Sequence, residues 1–469
     1  MKKDLLRKLP SIDGLIHAEE AKQLVEEYNR DLVIDAARIV LEELRLKILK
    51  NETTPFEEKN LSLENIIRRI ETLLQKKFSP SLRKAINAAG VILHTGLGRA
   101  VLSKEAQDAI NNVIESYCTL ATDIETGRRG HRDIHLDKIF CELTGAEAAT
   151  VVNNNAAATV LILNTLAKGK EVIVSRGQLV EIGGSFRMPE VMETSGAILK
   201  EVGTTNKTHL KDYVAAIGEN TGAIMRVHHS NYRILGFAEE PSIEELAGLA
   251  KEHSLPLIDD LGSGALVDLK EFGLETEPTV QNSIRAGVDV ACFSGDKLIG
   301  GPQAGVIVGK ASTIEKIKKN PLARAFRIGK MTIAAMEATL RFFLEPEKLS
   351  QKHPIYKMFS LSLEVLRRRS RKVVKKLQPL FADVADISLE QGSSQVGSGS
   401  VPLETIPTRL LRIKPKAFSA ESLANKLRSW NPPIFTRVHR DGVLFDFRTI
   451  QPEEDKIVLE ALLKLLKEK

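Results

Sequence analysis

Seven short apolar runs, rich in β-branched residues, alternate with helical stretches between about residues 88 and 310 and constrain the fold more than any other feature. The runs are Ala149 to Val152, Glu171 to Ser175, Ala197 to Val202, Ala223 to Val227, Leu255 to Asp259, Val288 to Phe293 and Gly305 to Val308. Strands that alternate with helices form a mostly parallel sheet with helices on both faces. The sequence therefore predicts a large α/β domain, in which ligands bind at the carboxyl ends of the strands.

Other patterns flank this region. Apolar positions at helical spacing fill the first 65 residues or so, and Asn51 to Pro55 has the composition of a linker. Beyond residue 335 we expect a long helix carrying Leu366 to Lys372, short strands at 410–413 and 442–447, and a closing helix over 453–469. The predicted organisation is a helical N-terminal domain (1–65), a linker helix (66–87), the large α/β domain (88–335) and a small α+β C-terminal domain (336–469).

Composition narrows the classes of protein to consider. The chain has 469 residues, 43% hydrophobic and 27% charged, which is typical of a globular protein with several domains. It has no apolar segment resembling a signal peptide and no run of about 18 apolar residues, so we expect a cytoplasmic protein without membrane contact. The formal net charge of +6 permits a polyanionic partner without requiring one. Cys118, Cys141 and Cys292 lack metal-ligand spacing, so no metal site is expected.

A lysine follows the sixth apolar run closely. The stretch from Phe293 to Gln303 reads Phe-Ser-Gly-Asp-Lys-Leu-Ile-Gly-Gly-Pro-Gln and places Lys297 just beyond the strand. A lysine on such a turn can carry an aldehyde cofactor as a Schiff base, because the glycines let the backbone pass close to a ligand. Ser294 is placed to hydrogen-bond a phosphate. A lone lysine in a loop is usually solvated, so the interpretation needs further residues.

Two more motifs give this lysine a context. Asp259 and Asp260 follow an apolar run, and buried carboxylates need partners. A pyridinium nitrogen is such a partner for Asp260, whereas a helix cap or metal ligand is the alternative interpretation. Asn154, Asn155 and Ala156 open an alanine-rich helix whose amides can bind phosphate, although asparagine also caps helices for structural reasons. Phosphate cradle, carboxylate and lysine in this order predict pyridoxal 5'-phosphate as cofactor.

Arginines in three short stretches, two of them rich in glycine, form a fourth group. They are Arg99, Arg128, Arg129, Arg132, Arg324 and Arg327. Guanidinium groups bind tetrahedral oxyanions bidentately, although any single arginine is most often a solvated surface residue. Because the cofactor phosphate already has its cradle, the additional arginines indicate a site for a second anion.

The long motifs are His94 to Arg99, Glu125 to Gly130, Val151 to Ala157, Val174 to Gly184, Glu201 to Asn206, Ser230 to Arg233, Asp260 to Gly264 and Phe293 to Gly305. Together they resemble the motifs of the bacterial selenocysteine synthases, the L-seryl-tRNA(Sec) selenium transferases. The resemblance extends from the opening Leu-Pro-Ser-Ile-Asp to Asp446-Phe-Arg448.

The resemblance implies a fold-type-I pyridoxal-phosphate architecture with a mostly parallel seven-stranded sheet. It also implies an N-terminal domain that recognises tRNA(Sec) and a homodecamer built as five dimers. Lys297 would be the Schiff-base lysine, with Asp296 assisting the chemistry beside it. Arg99, Arg324 and Arg327 would bind selenophosphate, and we include Arg132 in this anion site.

Three positions depart from the usual residues of that family. Gly96 stands in place of Asn, His131 in place of Ser, and Gln178 in place of Glu. Gln178 retains hydrogen bonding but loses the charge, which leaves an acid–base role at this position open. Gly96 and His131 lie beside the arginines rather than at them.

The expected reaction is a β-replacement on serine esterified to tRNA(Sec). Lys297 would remove the Cα proton while Asp260 supports the electron-accepting ring, and loss of the hydroxyl would give aminoacrylyl-tRNA. Selenophosphate would then donate selenium. Because the serine carboxylate is esterified, the arginines remain available for selenophosphate.

Two other functions compete with this one. A pyridoxal-phosphate ammonia-lyase acting on a phosphorylated amino-sugar acid could share the core motifs, and its arginines would bind the substrate phosphate. The helical N-terminal domain argues against it. A catalytically silent tRNA-binding protein is the other alternative, and the presence of Lys297, Asp260 and Arg99 argues against that.

Basic residues near the start of the chain are the first candidates for contact with tRNA phosphates. They are Lys2, Lys3, Arg7 and Lys8. The basic run from Arg367 to Lys376 comes second. Charged runs on helices are usually solvated faces, so replacement of several residues and a measurement of salt dependence would be needed to assign either one.

Overall fold

The computed structural model describes residues 2–50, 61–183, 186–275 and 277–467. The chain divides into two compact units, Met1–Lys84 and Ala85–Lys469. The linker composition at Asn51 to Pro55 lies outside the described residues. Within the part that is described, no helix is long and apolar enough to cross a membrane.

The N-terminal unit is helical and has its own apolar core. Its helices are α1 (Lys2–Arg7), α2 (Ile12–His17), α3 (Glu19–Glu27), α4 (Arg30–Lys50) and α5 (Leu63–Phe78). Ala37 and Leu44 of α4 are buried in the same cluster as Ile66 and Ile70 of α5. The helix that we expected to link two domains over 66–87 therefore ends at Phe78 and packs inside this unit.

The central feature of the second unit is a seven-stranded sheet. The strands up to its end are β1 (Ile86–Asn87), β2 (Ala148–Val152), β3 (Glu171–Ser175), β4 (Glu181–Ile182), β5 (Phe186–Arg187), β6 (Ile198–Val202), β7 (Thr221–Val227), β8 (Leu257–Gly262), β9 (Val290–Ser294) and β10 (Gly305–Gly309). The order in the sheet is β2-β10-β9-β8-β7-β3-β6, and β10 alone in this sheet runs antiparallel to its neighbours. All seven predicted strands are confirmed, with shifts of a few residues at their ends.

Helices cover both faces of this sheet. They are α6 (Lys104–Ile114), α7 (Ile134–Thr144), α8 (Asn155–Leu166), α9 (Met188–Ser195), α10 (Leu210–Ala216), α11 (Ile243–Glu252), α12 (Val280–Ala286), α13 (Ala311–Lys319), α14 (Pro321–Ala325), α15 (Lys330–Leu340), α16 (Leu349–Lys352) and α17 (Pro354–Phe359). Ile173 of β3 belongs to one apolar cluster, whereas Val172 and Val174 belong to another. Successive side chains of a strand point to opposite faces, so continuous apolar runs are what a sheet buried on both faces requires.

The C-terminal part forms a smaller α+β domain. Its elements are α18 (Leu363–Phe381), β11 (Ala385–Gly397), β12 (Ser400–Pro415), α19 (Ala420–Arg428), β13 (Ile434–Phe435), β14 (Arg437–His439), β15 (Gly442–Asp446) and α20 (Asp455–Leu465). A four-stranded sheet has the order β11-β12-β15-β14, and β13 pairs with β1. The core of this domain draws on Ile86, Ala88 and residues from Leu366 onward, whereas Tyr356 and Phe359 pack on the large-domain core. Residues 336–359, which we expected in the small domain, thus pack with the large one.

Candidate active site

Lys297 lies on a closed turn directly after β9 and is only 5% exposed. The backbone N–H of Gly300 donates to the Lys297 carbonyl at 2.9 Å, and that of Gly301 donates to the Gly295 carbonyl at 2.9 Å. Burial, followed by the cation of Arg99, lowers the pKa of Lys297. A lowered pKa raises the fraction of neutral amine, which is the nucleophilic form.

Arg99 and Asp296 form an ion pair beside this lysine. Nη1 of Arg99 lies 2.7 Å from Oδ2 of Asp296, and the arginine side chain remains 33% exposed. Arg99 has φ 61°, in the left-handed region that residues other than glycine seldom adopt. This conformation costs free energy that the surrounding contacts must offset, which is common at functional sites.

Asp260 is buried near the carboxyl end of β8. Its carboxylate accepts hydrogen bonds from Asn155 Nδ2 at 2.8 Å, Thr159 Oγ1 at 3.1 Å and the N–H of Gly262 at 3.0 Å. Burial nevertheless raises the pKa of Asp260, because these neutral donors do not replace a cation. The site therefore favours a positively charged partner for this carboxylate.

Asp259 has a different environment. It pairs with Arg226 through two hydrogen bonds of 2.7 and 2.8 Å. Adjacent residues of a strand face opposite sides, so the Asp259 side chain points away from that of Asp260. Of the two carboxylates, only Asp260 lacks a cation in direct contact.

The amino end of α8 lies next to this carboxylate. Asn154 caps the helix, and its Oδ1 accepts from the N–H of Ala157 at 2.8 Å. The N–H groups of Asn155 and Ala156 have no acceptor within the described residues. Gly305 of β10 passes so close that a Cβ there would lie 2.0 Å from the Asn154 carbonyl oxygen. The result is a helix terminus with amides available to an anion.

The residues present fit pyridoxal phosphate. A buried amine, a buried carboxylate without a cation and a helix terminus with available amides occur on adjacent elements of the sheet. The Oδ1 atom of Asn155 is also buried without a partner, so the site has unused hydrogen-bonding capacity. Ser294 is buried at the end of β9, where its hydroxyl has no partner among the residues that the structure describes.

A second cavity of about 500 Å³ holds four arginines. Its lining includes Arg129, Arg132, Arg324 and Arg327. Repulsion by Arg132, followed by that of Arg324, lowers the pKa of Arg327. An anion in this cavity would relieve that repulsion. We call this the arginine cavity.

The structure brings together only part of the predicted anion site. Lys297, Asp296 and Arg99 do not line the arginine cavity. The cavity does reach Val152 of β2, close to the amino end of α8. Within the single chain, Arg99 therefore groups with the lysine and the other three predicted arginines form a separate cluster.

Gln178 has a structural environment. Its Oε1 accepts from the N–H of Val227 at 3.0 Å, and its Nε2 donates to Glu240 at 3.2 Å. A second carboxylate here would be repelled by Glu240 and could not donate to it when ionised, so an amide suits this position.

The basic residues of the run from Arg367 to Lys376 lie in two different environments. Arg367, Arg368, Arg371, Lys372 and Lys375 line an open groove of about 510 Å³ beside α18. Arg369 instead points inward and pairs with Asp455 at 2.7 Å. The groove offers several cations to a polyanion.

Sequence reasoning missed Thr159 and Arg226. Thr159 lies inside the α8 helix, where nothing in the local pattern distinguishes a partner of Asp260 from a core residue. Arg226 lies in β7, and its position beside Asp259 follows from the parallel pairing of β7 and β8. A search for an arginine on the neighbouring strand could have found it.

Two family models match the chain. The model described as L-seryl-tRNA selenium transferase matches residues 85–451. The model described as selenocysteine synthase N terminal matches residues 6–45. The two matches fall on opposite sides of the division between the two compact units.

Curated relatives cover nearly the whole chain. The L-seryl-tRNA(Sec) selenium transferase of Alkaliphilus metalliredigens is 47% identical over 98% of this chain and 98% of the relative. That of Carboxydothermus hydrogenoformans is 48% identical over 96% of this chain and 95% of the relative. Among solved structures, D-glucosaminate-6-phosphate ammonia-lyase aligns with a TM-score of 0.56 at 19% identity, covering 84% of this chain and 98% of that one. This last likeness supports the fold alone.

Proposed function

The chain belongs to the L-seryl-tRNA selenium transferase family, and on that premise we propose that it converts L-seryl-tRNA(Sec) into L-selenocysteinyl-tRNA(Sec) with pyridoxal phosphate as cofactor. The observation that carries the proposal is the buried Lys297 amine on a turn next to Asp260, in a chain whose first residues match the family's N-terminal model. The fold is that of fold-type-I pyridoxal-phosphate enzymes.

The residues around Lys297 divide the work of holding the cofactor. When bound, pyridoxal phosphate supplies an electron-accepting ring joined to the amine of the substrate. The backbone amides of Asn155 and Ala156, with the Ser294 hydroxyl, would hold its phosphate. Asp260 would hold the ring nitrogen and keep it protonated. The Asn155 side chain orients Asp260, a role that adds to the phosphate contact expected of its backbone amide.

Lys297 moves the proton at Cα of the seryl group. Its lowered pKa supports this role, because a neutral amine is a competent base near neutral pH. Asp296 is held by Arg99, so this carboxylate orients the arginine beside the lysine rather than serving as a free base.

Selenophosphate is the proposed selenium donor, and arginines are the proposed anion ligands. Arg99 lies beside Lys297, whereas Arg132, Arg324 and Arg327 lie around the arginine cavity. Their mutual repulsion supports an anion there. By resemblance to the family, we also propose that the protein is cytoplasmic and assembles as a ring of five dimers. The mass of the native assembly in solution tests the number of subunits.

Transfer RNA contacts are proposed on two surfaces. The N-terminal unit, with Lys2, Lys3, Arg7 and Lys8 near its start, is the first. The groove along α18 is the second, because its cations line an open surface. Charge reversal at Arg368 and Arg371 should weaken tRNA binding and reduce its dependence on salt by about one unit of slope for each phosphate that the protein no longer neutralises.

One assay of substrate conversion tests both the proposed activity and the alternative lyase activity. The purified protein should convert seryl-tRNA(Sec) in the presence of selenophosphate and leave free serine and phosphorylated amino-sugar acids unchanged. Release of ammonia from a phosphorylated amino-sugar acid, without conversion of seryl-tRNA(Sec), would establish the lyase instead. A protein that binds tRNA but remains colourless with added pyridoxal phosphate would leave only the silent alternative.

A further inference from the structure

His228, Glu277 and Ser263 form a hydrogen-bonded trio that the proposed mechanism does not use. Nε2 of His228 lies 3.1 Å from Oε1 of Glu277, and the Ser263 hydroxyl donates to the same oxygen at 2.6 Å. Glu277 is 2% exposed and Ser263 is 1% exposed. A carboxylate buried this deeply is stable only when it is hydrogen-bonded or paired with a cation.

Backbone hydrogen bonds tie the trio to Asp260 and to the turn that carries Lys297. His228 directly follows β7, and its N–H donates to the Asp260 carbonyl at 2.8 Å. On the other side, the N–H of Leu298 donates to the Ser263 carbonyl at 3.3 Å. The charge of Glu277 is also among those that act on the Lys297 amine. The backbone therefore fixes these three side chains at the same edge of the sheet as the proposed cofactor residues.

The two ring nitrogens of His228 have different environments. Nε2 is held by Glu277, which requires a proton on that nitrogen for the hydrogen bond to form. Nδ1 has no hydrogen-bond partner within the described part of the chain, and the side chain remains 23% exposed. A carboxylate behind an imidazole fixes the orientation of the ring, and an imidazole that carries protons on both nitrogens can donate from the second one.

The other ionisable groups nearby have fixed partners or other tasks. Asp296 is paired with Arg99 at 2.7 Å, and Lys297 takes the proton from Cα. Glu277 is enclosed, with one oxygen shared by two donors. Departure of the seryl hydroxyl requires a proton, since hydroxide is a poor leaving group at neutral pH. Two imidazoles among the described residues near this edge keep an available nitrogen, His228 and His94, and of the two only His228 is held by a carboxylate.

We propose that His228, oriented by Glu277 and Ser263, donates from Nδ1 the proton with which the seryl hydroxyl leaves. The Cα–H proton first passes reversibly to Lys297, and the electron pair left behind then forms the Cα–Cβ double bond. The Cβ–O bond breaks and the oxygen departs as water with the proton from His228, which solvent later restores. The assignment rests on the proposed function and adds a proton donor to it.

The test separates removal of the Cα proton from loss of the hydroxyl. Seryl-tRNA(Sec) is incubated with holoenzyme in D₂O, and deuterium at Cα of the recovered serine is measured by mass spectrometry. Conversion with selenophosphate reports the elimination. For His228→Gln we expect deuterium incorporation within about twofold of wild type and a loss of conversion of about 10²–10⁴-fold, the usual contribution of a general acid. Glu277→Gln should give the same pattern with a smaller loss.

His229→Gln is the matched control. His229 follows His228 in the chain, and its Nε2 contacts the Gly177 carbonyl at 2.8 Å and the carboxylate of Glu240, which is not buried, at 3.3 Å. His229→Gln should retain both deuterium incorporation at Cα and conversion with selenophosphate. All three variants should keep the cofactor absorbance of wild type. Wild-type conversion by His228→Gln, or parallel loss of exchange and conversion, would overturn the assignment. Wild-type protein that neither exchanges nor converts would instead contradict the proposed function, and the assignment with it.

Discussion

The surroundings of Lys297 and the arginine cavity differ in how their charges are satisfied. Around Lys297 the chain supplies hydrogen-bonding partners itself: Asp260 has three donors and Asp296 has Arg99. In the arginine cavity, Arg324 and Arg327 are exposed and repel each other. The first region is organised before any substrate arrives, whereas the second gains stability only when an anion binds. We therefore expect that substitutions around Lys297 and substitutions in the arginine cavity affect cofactor chemistry and anion binding separately.

The largest effect should come from Lys297→Ala. Removing the amine abolishes both attachment of the cofactor and transfer of the Cα proton, so conversion should fall by at least about 10⁴-fold. The absorbance band of the cofactor Schiff base should disappear, while tRNA binding, measured by gel shift, should remain. If borohydride trapped the cofactor at another lysine, Lys297 would not be the attachment site, and the comparison between the two regions would fail.

Asp260→Asn should follow, with a loss in conversion of about 10²–10³-fold, as for removal of one stabilising electrostatic group. The unfolding midpoint of cofactor-free protein should not fall, because burial already disfavours the ionised carboxylate.

Asp259→Asn is the matched control for that variant. It leaves the partly buried Arg226 without its bidentate partner and should lower the free energy of unfolding by about 3 kcal/mol. If thermal denaturation shows Asp260→Asn to be the more destabilised of the two, the contrast between these neighbouring carboxylates is wrong.

Arg327→Gln should raise the KM for selenophosphate about tenfold, which corresponds to about 1.4 kcal/mol and the loss of a charge-assisted hydrogen bond. Deuterium exchange at Cα, measured without selenophosphate, should not change. Arg341→Gln is the control, since Arg341 pairs with Glu337 on the surface of α15 and lies outside both regions. An equal rise in KM for both variants would indicate a general effect of charge and not a site.

For cofactor attachment, measured apart from the selenophosphate binding also proposed for Arg99, the smallest effect should be a shift in pH dependence from Arg99→Gln. Removing this cation, which lowers the pKa of Lys297, and releasing the Asp296 carboxylate both raise that pKa. The amine is then protonated at a pH where wild type is neutral, so cofactor attachment should require a higher pH. Stopped-flow absorbance of cofactor-free protein mixed with pyridoxal phosphate over a pH series measures this. If cofactor attachment shifted to lower pH instead, the claim that Arg99 lowers the pKa of Lys297 would be wrong.

The sequence predicted the sheet well because most of its strands are buried on both faces and appear as nearly continuous apolar runs. The edge strand β6, with Ile198 and Glu201 exposed, is the exception. It also identified Lys297, Asp260 and the α8 terminus, since polar residues at strand ends stand out against those runs. It could not predict that Asn155 would bond Asp260, or that His228 would meet Glu277, because these contacts join residues far apart in the chain. Domain limits were less accurate, since α5 and α15–α17 are amphipathic helices whose packing partner no local pattern specifies.

The close passage of β10 beneath the amino end of α8 restricts how this chain can be varied. Any side chain at position 305 would push directly against the Asn154 carbonyl, so even alanine should displace the helix terminus. A library randomised at this codon and selected for tight cofactor retention should return glycine alone. Position 305 lies more than one hundred residues along the chain from the helix whose terminus it affects. A residue other than glycine there would therefore help to identify related sequences that have lost activity.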